Sequence, residues 1–470
     1  MKDRARVGWV AACIALLVPM CGFAPDPVEK IGADLIVTAA PVYEPLAELR
    51  GGERFPKGAQ LLLIHDGKAE PLVTGFAATA DADVYFNGKQ VLFAGKKTEN
   101  DPWQIWELTL KDHSVRKVIT TATDAVRPLY LPGARMVWAQ RTAHGFELQS
   151  ADDGHLLNYI MLNPTGGPGI TPLTYLHTSA FPVNVLEDGR ILFESGYPLG
   201  SGTTPELYLV YADGSGVESY RCDHGQARWG GAQVASGDVV FTQGHSLARF
   251  TSPLAHEEKI TTPRGEFAGA ITETSDGEWL VSARTAATSP YEIRLWKPGT
   301  ATMQTIVSEP GKNLLEPVVV ARRTVPRRHP SGLHPWDYAN VLALDARLSR
   351  DGALKGTPER VRLEAQDDKG HAVAMGTAPV EKDGSFFVQV PGDRPIRFAL
   401  LDAKGVVLRQ QKGWLWIRGG EQRICVGCHT GPERSSENRV PAVLLRTTTP
   451  VDLTHAVQAG ASQPMTSGGH

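Results

Sequence analysis

The sequence predicts an all-β protein: an N-terminal six-bladed β-propeller followed by a small antiparallel β-sandwich-like domain. A turn containing glycine, followed by polar residues and an apolar burst, recurs along the first two thirds of the 470-residue chain. A recurrence of about 45 residues in strand-like units is typical of propeller blades. Beyond residue 338, shorter alternating apolar runs separated by turns predict a second, sandwich-like unit.

Five copies of the repeat share the glycine turn and the apolar strand that follows it. They occupy residues 87–93, 132–138, 188–193, 236–241 and 276–281. Residues 316–320 are interpreted as a sixth, degenerate copy. A four-stranded blade buries both of its faces only against neighbouring blades, so six copies predict six blades over residues 34–323. These units resemble the blades of TolB-like propellers, and a two-layer β-sandwich array is the competing interpretation.

The second unit is predicted from its turns and strands. Residues 324–337 are rich in proline and arginine and indicate a linker. Residues 338–418 are expected to form the sandwich. Its predicted strands lie at 341–346, 360–365, 383–390, 397–402, 406–408 and 414–417.

Cys425, Cys428 and His429 form a C-x-x-C-H motif, the attachment signature of c-type haem. Two thiols at this spacing can each form a thioether to a porphyrin vinyl group, and the adjacent imidazole can ligate the iron. A zinc half-site or a redox dithiol would also use such cysteines. A zinc site needs a second ligand pair and a redox CxxC a βαβ context, and the sequence shows neither. We therefore expect one covalent haem c in a segment spanning residues 419–450.

Other residues are candidates for the haem surroundings. Arg423 and Arg434 flank the motif and could pair with the haem propionates. Trp416, with Trp414, is expected either in the sandwich core or as an aromatic wall beside the porphyrin.

The distal haem ligand is not settled by the sequence. His455 is the best-placed candidate in chain order. The others are His371, Met375, Met465 and His470. We expect the iron to lack a strong protein ligand on its distal side, and residues 451–470 to form a disordered tail.

The N-terminus predicts export. Residues 1–24 combine a basic start, a short apolar run and small residues, which is typical of a signal peptide rather than a membrane span. Cys21 raises lipid anchoring as an alternative. We expect a periplasmic or otherwise exported protein in which Cys222 is left unpaired.

Composition excludes several functions. The net charge of −3 gives no nucleic-acid footprint, and no later stretch is apolar enough to span a membrane. No Ser-His-Asp arrangement, Walker loop or dinucleotide fingerprint is present. The basic residues 322–329 are expected to form a solvated linker, with a docking patch for a partner or for the propionates as the alternative.

Residues 352–445 resemble the middle domain of the hydrazine synthase alpha subunit. The resemblance rests on residues 376–380, 383–386, 390–391, 414–421 and 437–441 together with the C-x-x-C-H motif. It implies a periplasmic cytochrome with a propeller, a β middle domain and c-haem. It does not imply hydrazine synthesis, because that family's subunit carries a second haem and this sequence holds one C-x-x-C-H.

Two main functions follow, with a third behind them. The first is mono-haem electron transfer, with the propeller docking a redox partner protein. The second is a redox enzyme whose five-coordinate haem acts on a small molecule between propeller and middle domain. The third is a binding or sensing module with a structural haem. Whether the chain is an enzyme is left open, with electron transfer favoured; the sixth haem ligand discriminates the first two.

Overall fold

The described part of the chain is almost entirely β-structure. A computed structural model describes residues 31–133, 135–152, 169–196, 204–221, 227–350, 352–428, 430 and 437–456. They form 32 strands, one 3₁₀ turn at Glu48–Arg50 and one short helix, α1, at Ala442–Arg446. Within these ranges, no helix has the length and apolar character needed to cross a bilayer.

The propeller contains the first 24 strands. They are β1 (Leu35–Ala40), β2 (Gln60–His65), β3 (Lys68–Pro71), β4 (Ala78–Val84), β5 (Gln90–Lys96), β6 (Gln104–Thr109), β7 (Ser114–Ile119), β8 (Ala125–Leu131), β9 (Arg135–Thr142), β10 (Gly145–Asp152), β11 (Thr171–Pro172), β12 (Ala180–Val185), β13 (Ile191–Gly196), β14 (Pro205–Val210), β15 (Glu218–Ser219), β16 (Arg228–Gln233), β17 (Val239–Gln243), β18 (Ser246–Phe250), β19 (Glu258–Lys259), β20 (Glu266–Glu273), β21 (Trp279–Arg284), β22 (Glu292–Trp296), β23 (Gln304–Val307) and β24 (Asn313–Val319).

These strands form six four-stranded antiparallel sheets, which confirms the predicted blades. Five sheets use four consecutive strands each, beginning with β4, β8, β12, β16 and β20. The remaining sheet has the order β24-β1-β2-β3, so the last propeller strand pairs with the first. The innermost strands contact one another in a closed cycle, from β4 through β8, β12, β16, β20 and β24 back to β4.

The recurring glycine is the turn between the first and second strands of a blade. Gly88, Gly133, Gly189, Gly237 and Gly277 all have φ between 73° and 89°, in the left-handed region that favours glycine. The apolar burst after each turn is the buried second strand. The sixth copy differs from the prediction. Residues 316–320 fall at the end of β24, which is the innermost strand of its blade, and the second strand of that blade is β1 from the start of the domain.

All six innermost strands contain a β-bulge, seen as a shift in their register with the second strand. At five of the six bulges a residue adopts positive φ. These residues are Asp81, Arg127, Gly230, Gly269 and Glu316. A bulge re-aims side chains, and here it turns them toward the axis of the propeller.

The second domain is a sandwich of two four-stranded sheets. Its strands are β25 (Tyr338–Ala343), β26 (Arg360–Gln366), β27 (Ala372–Pro379), β28 (Phe386–Pro391), β29 (Ile396–Leu401), β30 (Val407–Gln410), β31 (Gln422–Cys425) and β32 (Val451–Asp452). One sheet has the order β31-β25-β28-β32 and the other β27-β26-β29-β30. Their facing apolar residues, including Val341, Leu363, Val388 and Leu400, form one core.

Two details of the sandwich differ from the prediction. Residues 414–417 are not a strand; only Leu415 makes an isolated bridge, to Ile396. The sheet extends past the predicted boundary at residue 418, because β31 and β32 join it by parallel pairing with β25 and β28. The segment carrying the cysteines is therefore part of the sandwich, and the predicted antiparallel sheets are supplemented by two parallel pairs.

The linker lies along the propeller. Arg323 donates hydrogen bonds to both carboxylate oxygens of Asp83, at 2.8 and 2.9 Å. The Arg327 amide donates to the Glu187 carbonyl at 2.8 Å, and the His329 ring stacks on Tyr211. The basic run is exposed, as predicted for a linker, but it is also tied to several blades.

Candidate functional site

The edge strand β31 positions the first cysteine of the motif. It pairs in parallel with β25, so that Cys425 lies beside Ala343 and Arg423 beside Val341. Cys425 packs against the sandwich core, and side chains alternate along a strand. Ile424 faces the other side and is 64% exposed.

The turn after β31 is fixed by backbone hydrogen bonds to residues 344–348. The Leu344 amide donates to the Cys425 carbonyl at 2.9 Å, and the Cys428 amide donates to the Leu348 carbonyl at 3.0 Å. Gly427 lies tight against the same segment: a Cβ at this position would be 2.8 Å from Leu348 Cβ and 2.6 Å from Thr430 Cγ2. Glycine at the second variable position of the motif is therefore required by packing.

Both thiols are unbridged and half-buried, and both pack against the sandwich core. Burial raises the pKa of the Cys425 thiol, and the Arg423 guanidinium only partly offsets this effect. Burial raises the pKa of the Cys428 thiol to about 12. Both shifts favour the protonated thiol over the thiolate. His429 lies outside the described residues.

A small cleft adjoins the cysteine turn. Its apolar lining is supplied by Leu344, Leu348, Val426 and Pro441, and its charged lining by Asp345, Glu437 and Arg439. Neighbouring Val440 is 61% exposed. Two unbridged thiols at this spacing are the groups that covalent attachment of a porphyrin would use, and the cleft beside them has an apolar lining.

Arg423 lies beside the motif but is held by other groups. Its guanidinium donates to the Val217 carbonyl of the propeller at 2.8 Å and to the Glu421 carboxylate at 3.2 Å. It remains close enough to Cys425 to affect the thiol's pKa. Arg423 therefore connects the motif to the propeller, and Arg434 falls outside the described residues.

Trp416 occupies a place that differs from both expectations. Its side chain is fully buried in an apolar cluster of the propeller, together with Leu131, Val137 and Leu173. Its indole N–H donates to the Gly214 carbonyl at 3.2 Å. Trp416 is neither in the sandwich core nor beside the cysteines; it anchors one domain to the other.

His455 is not brought to the motif. It follows β32, which lies at the opposite edge of the four-stranded sheet from β31, roughly 14 Å away across three strand spacings. The register also matters. Val451 is level with Arg423 across the sheet and Asp452 is level with Gln422, so β32 runs away from the end of the sheet where Cys425 lies. His455 is close to the cysteine motif in the chain but not in the sheet.

The other described candidates for a distal ligand have structural surroundings of their own. His371 is exposed, and its Nδ1 lies 3.3 Å from the Asp367 carboxylate. Met375 is buried in the sandwich core. Met465 and His470 lie outside the described residues.

One supporting group was missed by sequence reasoning. Asp383 accepts hydrogen bonds from the Ser385 hydroxyl at 2.6 Å and the Ala442 amide at 2.8 Å, and it pairs with Arg439. Burial acts to raise the pKa of Asp383, but these hydrogen bonds outweigh it and hold the pKa at about 2. This carboxylate fixes residues 439–442 beside the cleft. The Asp-Gly-Ser pattern was interpreted as a hairpin turn and as part of the family resemblance, and it gave no sign of these contacts.

Comparisons with known proteins extend this description. Residues 347–430 match the family model of the hydrazine synthase alpha subunit middle domain. The hydrazine synthase subunit alpha of Kuenenia stuttgartiensis is 22% identical over 81% of this chain, and the chain spans 63% of that protein's length.

One solved structure has the same fold over most of this chain. The structure of Kuenenia stuttgartiensis hydrazine synthase is similar with a TM-score of 0.75 and 18% identity, over 88% of this chain and 71% of that one. TolB from Acinetobacter baumannii aligns with a TM-score of 0.44 and 11% identity, over 63% of this chain and 67% of that one. The matched residues 347–430 include most of the sandwich and the cysteine pair, so this part of the chain is similar to the hydrazine synthase alpha subunit middle domain.

Proposed function

We propose that this protein is an exported mono-haem c-type cytochrome that transfers electrons. The observation that carries the proposal is the fixed pair of unbridged thiols at C-x-x-C-H spacing. Cys425 and Cys428 would hold the haem covalently, and His429 would be the proximal ligand. The signal-peptide pattern in residues 1–24 supports export. Export agrees with the haem proposal, because bacterial c-type haem is attached outside the cytoplasm.

The chain's own residues would hold and shield the group. When bound, haem supplies a one-electron iron couple. The backbone hydrogen bonds from residues 344–348 fix the orientation of the cysteine turn. Leu344, Leu348 and Val426 provide apolar surface beside it. The propeller, tied to β31 through Arg423 and Val217, would serve as the docking scaffold for a redox partner protein.

A haem-dependent redox enzyme is the second candidate. It is favoured by the placement of His455 beyond the far edge of the sheet, which removes one candidate for a closing sixth ligand. The name of the relative, hydrazine synthase subunit alpha, points in the same direction. The chain spans 63% of that relative, so catalysis by this chain is a proposal in its own right.

Covalent haem is tested on the full-length protein expressed with a c-haem maturation system. We expect a pyridine haemochrome spectrum of c-type haem that survives acid-acetone extraction. The variant C425S/C428S should be colourless after extraction, whereas C222S should be indistinguishable from the wild type. Extracted wild-type protein without bound haem would refute the proposal.

Optical spectra of the reduced holoprotein with and without carbon monoxide distinguish the two candidate functions. A reduced holoprotein whose spectrum is unchanged by CO is six-coordinate and supports electron transfer. A CO-induced shift of the Soret band reveals an open distal position and supports the enzyme. Potentiometric titration with a single one-electron wave is expected in both cases.

A further inference from the structure

Arg423 brings a positive charge to the cysteine pair. It lies two residues before Cys425 on the edge strand β31, and side chains two positions apart leave a strand on the same side, about 7 Å from each other. Its side chain is 27% exposed, so water screens its charge only in part. The charge of Arg423 is therefore fixed close to the first sulfur of the motif.

The Cys425 thiol responds to this charge. Burial raises the pKa of the thiol, and Arg423 is the strongest influence in the opposite direction, through its charge and through hydrogen bonding. The Glu421 carboxylate raises the pKa of the thiol by a smaller amount. At the position of this sulfur, the positive charge of Arg423 thus outweighs the negative charge of Glu421.

The propeller holds the Arg423 guanidinium in place. One terminal nitrogen donates to the Val217 carbonyl at 2.8 Å, and the other donates to Glu421 Oε1 at 3.2 Å. Glu421 is 11% exposed, and its carboxylate also accepts from the Gly216 amide at 3.4 Å and the Arg418 amide at 3.1 Å. Both members of the ion pair are therefore fixed against the blade formed by β12–β15.

The segment that presents the Val217 carbonyl is itself tightly folded. The Ser215 amide and hydroxyl both donate to Asp213 Oδ1, at 2.9 and 2.6 Å, and the Tyr211 amide donates to the Ser215 carbonyl at 3.0 Å. Gly216 has a φ of 65°, and a Cβ at this position would lie 2.6 Å from the Tyr211 ring. The propeller thus sets the position of the acceptor that holds the guanidinium.

We propose that the propeller raises the reduction potential of the haem by holding the Arg423 charge beside the point of attachment. This inference rests on the haem attachment proposed above. Reduction adds one negative charge to the haem, and a fixed positive charge nearby stabilises the reduced form. The contact between the two domains therefore acts on the redox chemistry, although no propeller residue ligates the iron.

Potentiometric titration of the full-length, haem-loaded protein measures the effect. R423Q removes the charge at similar volume, and we expect the equilibrium constant for reduction to fall at least threefold. For a one-electron couple this corresponds to a potential that is lower by about 28 mV. R423K keeps the charge and should restore at least half of the shift. An unchanged or higher potential in R423Q would overturn the proposal.

Arg418 provides the matched control, because it joins the same blade in the same way. Its guanidinium donates to the Asp213 and Pro172 carbonyls and to the Asp393 carboxylate. R418Q therefore loosens the domain contact but leaves the charge beside the sulfur in place, so its reduction equilibrium constant should change less than twofold. Equal shifts in R418Q and R423Q would show a general effect of domain loosening and would contradict the proposed role of the charge.

E421Q tests the sign of the effect, and it keeps the proposal open to refutation if R423Q does not fold. Removal of the carboxylate leaves the Arg423 charge less neutralised. The reduction potential should therefore rise in E421Q, opposite to its change in R423Q. An unchanged or lower potential in E421Q would also overturn the proposal.

Haem content, measured in every variant by the pyridine haemochrome spectrum, separates this inference from the proposed function. Wild-type protein without haem would overturn both. Haem at the wild-type level in R423Q, together with an unchanged potential, would overturn the role of Arg423 and leave the haem attachment intact.

Discussion

Replacing Trp416 should weaken the packing of the second domain against the propeller. Its side chain is 2% exposed and lies in an apolar cluster made by the propeller, although the residue belongs to the second domain. Burial of about 200 Å² at roughly 25 cal/mol per Å² corresponds to about 5 kcal/mol. The indole hydrogen bond to the Gly214 carbonyl adds about 1 kcal/mol. We expect W416A to cost about 3–5 kcal/mol, the usual range for a buried aromatic residue.

W416F removes the hydrogen bond but keeps most of the burial, so it should cost about 1–2 kcal/mol. Trp414 provides the matched control. It is half-buried, and its ring contacts the Arg397 guanidinium at 4.4 Å from the ring centroid. A contact of this type contributes about 1 kcal/mol, so W414A should have a small effect.

Differential scanning calorimetry and limited proteolysis of residues 324–337 are the assays. In W416A, unfolding of the sandwich should shift to lower temperature than that of the propeller, and the linker should be cleaved faster. Equal destabilisation by W414A and W416A, or an unchanged thermogram for W416A, would refute the role assigned to this side chain.

Two further predictions concern Gly427 and Asp383. In G427A the added Cβ would lie 2.8 Å from Leu348, so we expect a loss of about 1–3 kcal/mol of folding stability and less haem attachment. The control G332A, whose added Cβ would have nothing within 4 Å, should show neither effect. Equal yields of haem-loaded protein from the two variants would contradict this prediction. The pKa of Asp383, about 2, lies below its usual range, so the stabilisation it gives is present above pH 4 and lost between about pH 4 and 2. D383N should abolish this part of the pH dependence, about 1 kcal/mol after solvent screening, as measured by urea unfolding at several pH values.

The propeller could be predicted because its signal is local. Gly88, Gly189 and Gly277 each stand at a turn that needs positive φ, and the buried strand follows at once. Closure of the ring could not be predicted in the same way. Pairing of β1 with β24 joins segments from the two ends of the repeat, and no local pattern names a partner so far away. Residues 316–320 were consequently assigned to the wrong strand of their blade.

The candidate site shows the same limit. The spacing of Cys425 and Cys428 is a chemical signature that sequence alone reveals. The surroundings of Trp416 and Arg423 depend on how the two domains pack, which alternation along a strand cannot show. His455 was favoured because it follows the motif in the chain, yet the strand before it joins the far edge of the sheet.

The pairing of β1 with β24 also has a consequence for biogenesis. A polypeptide emerging in order from its N-terminus presents β1 with one side unpaired until the whole repeat array has been made. Unpaired strand edges promote association between chains. Removal of Leu35–Ala40 would leave one edge of β24 unpaired in the same way, so this single strand closes the whole ring of blades.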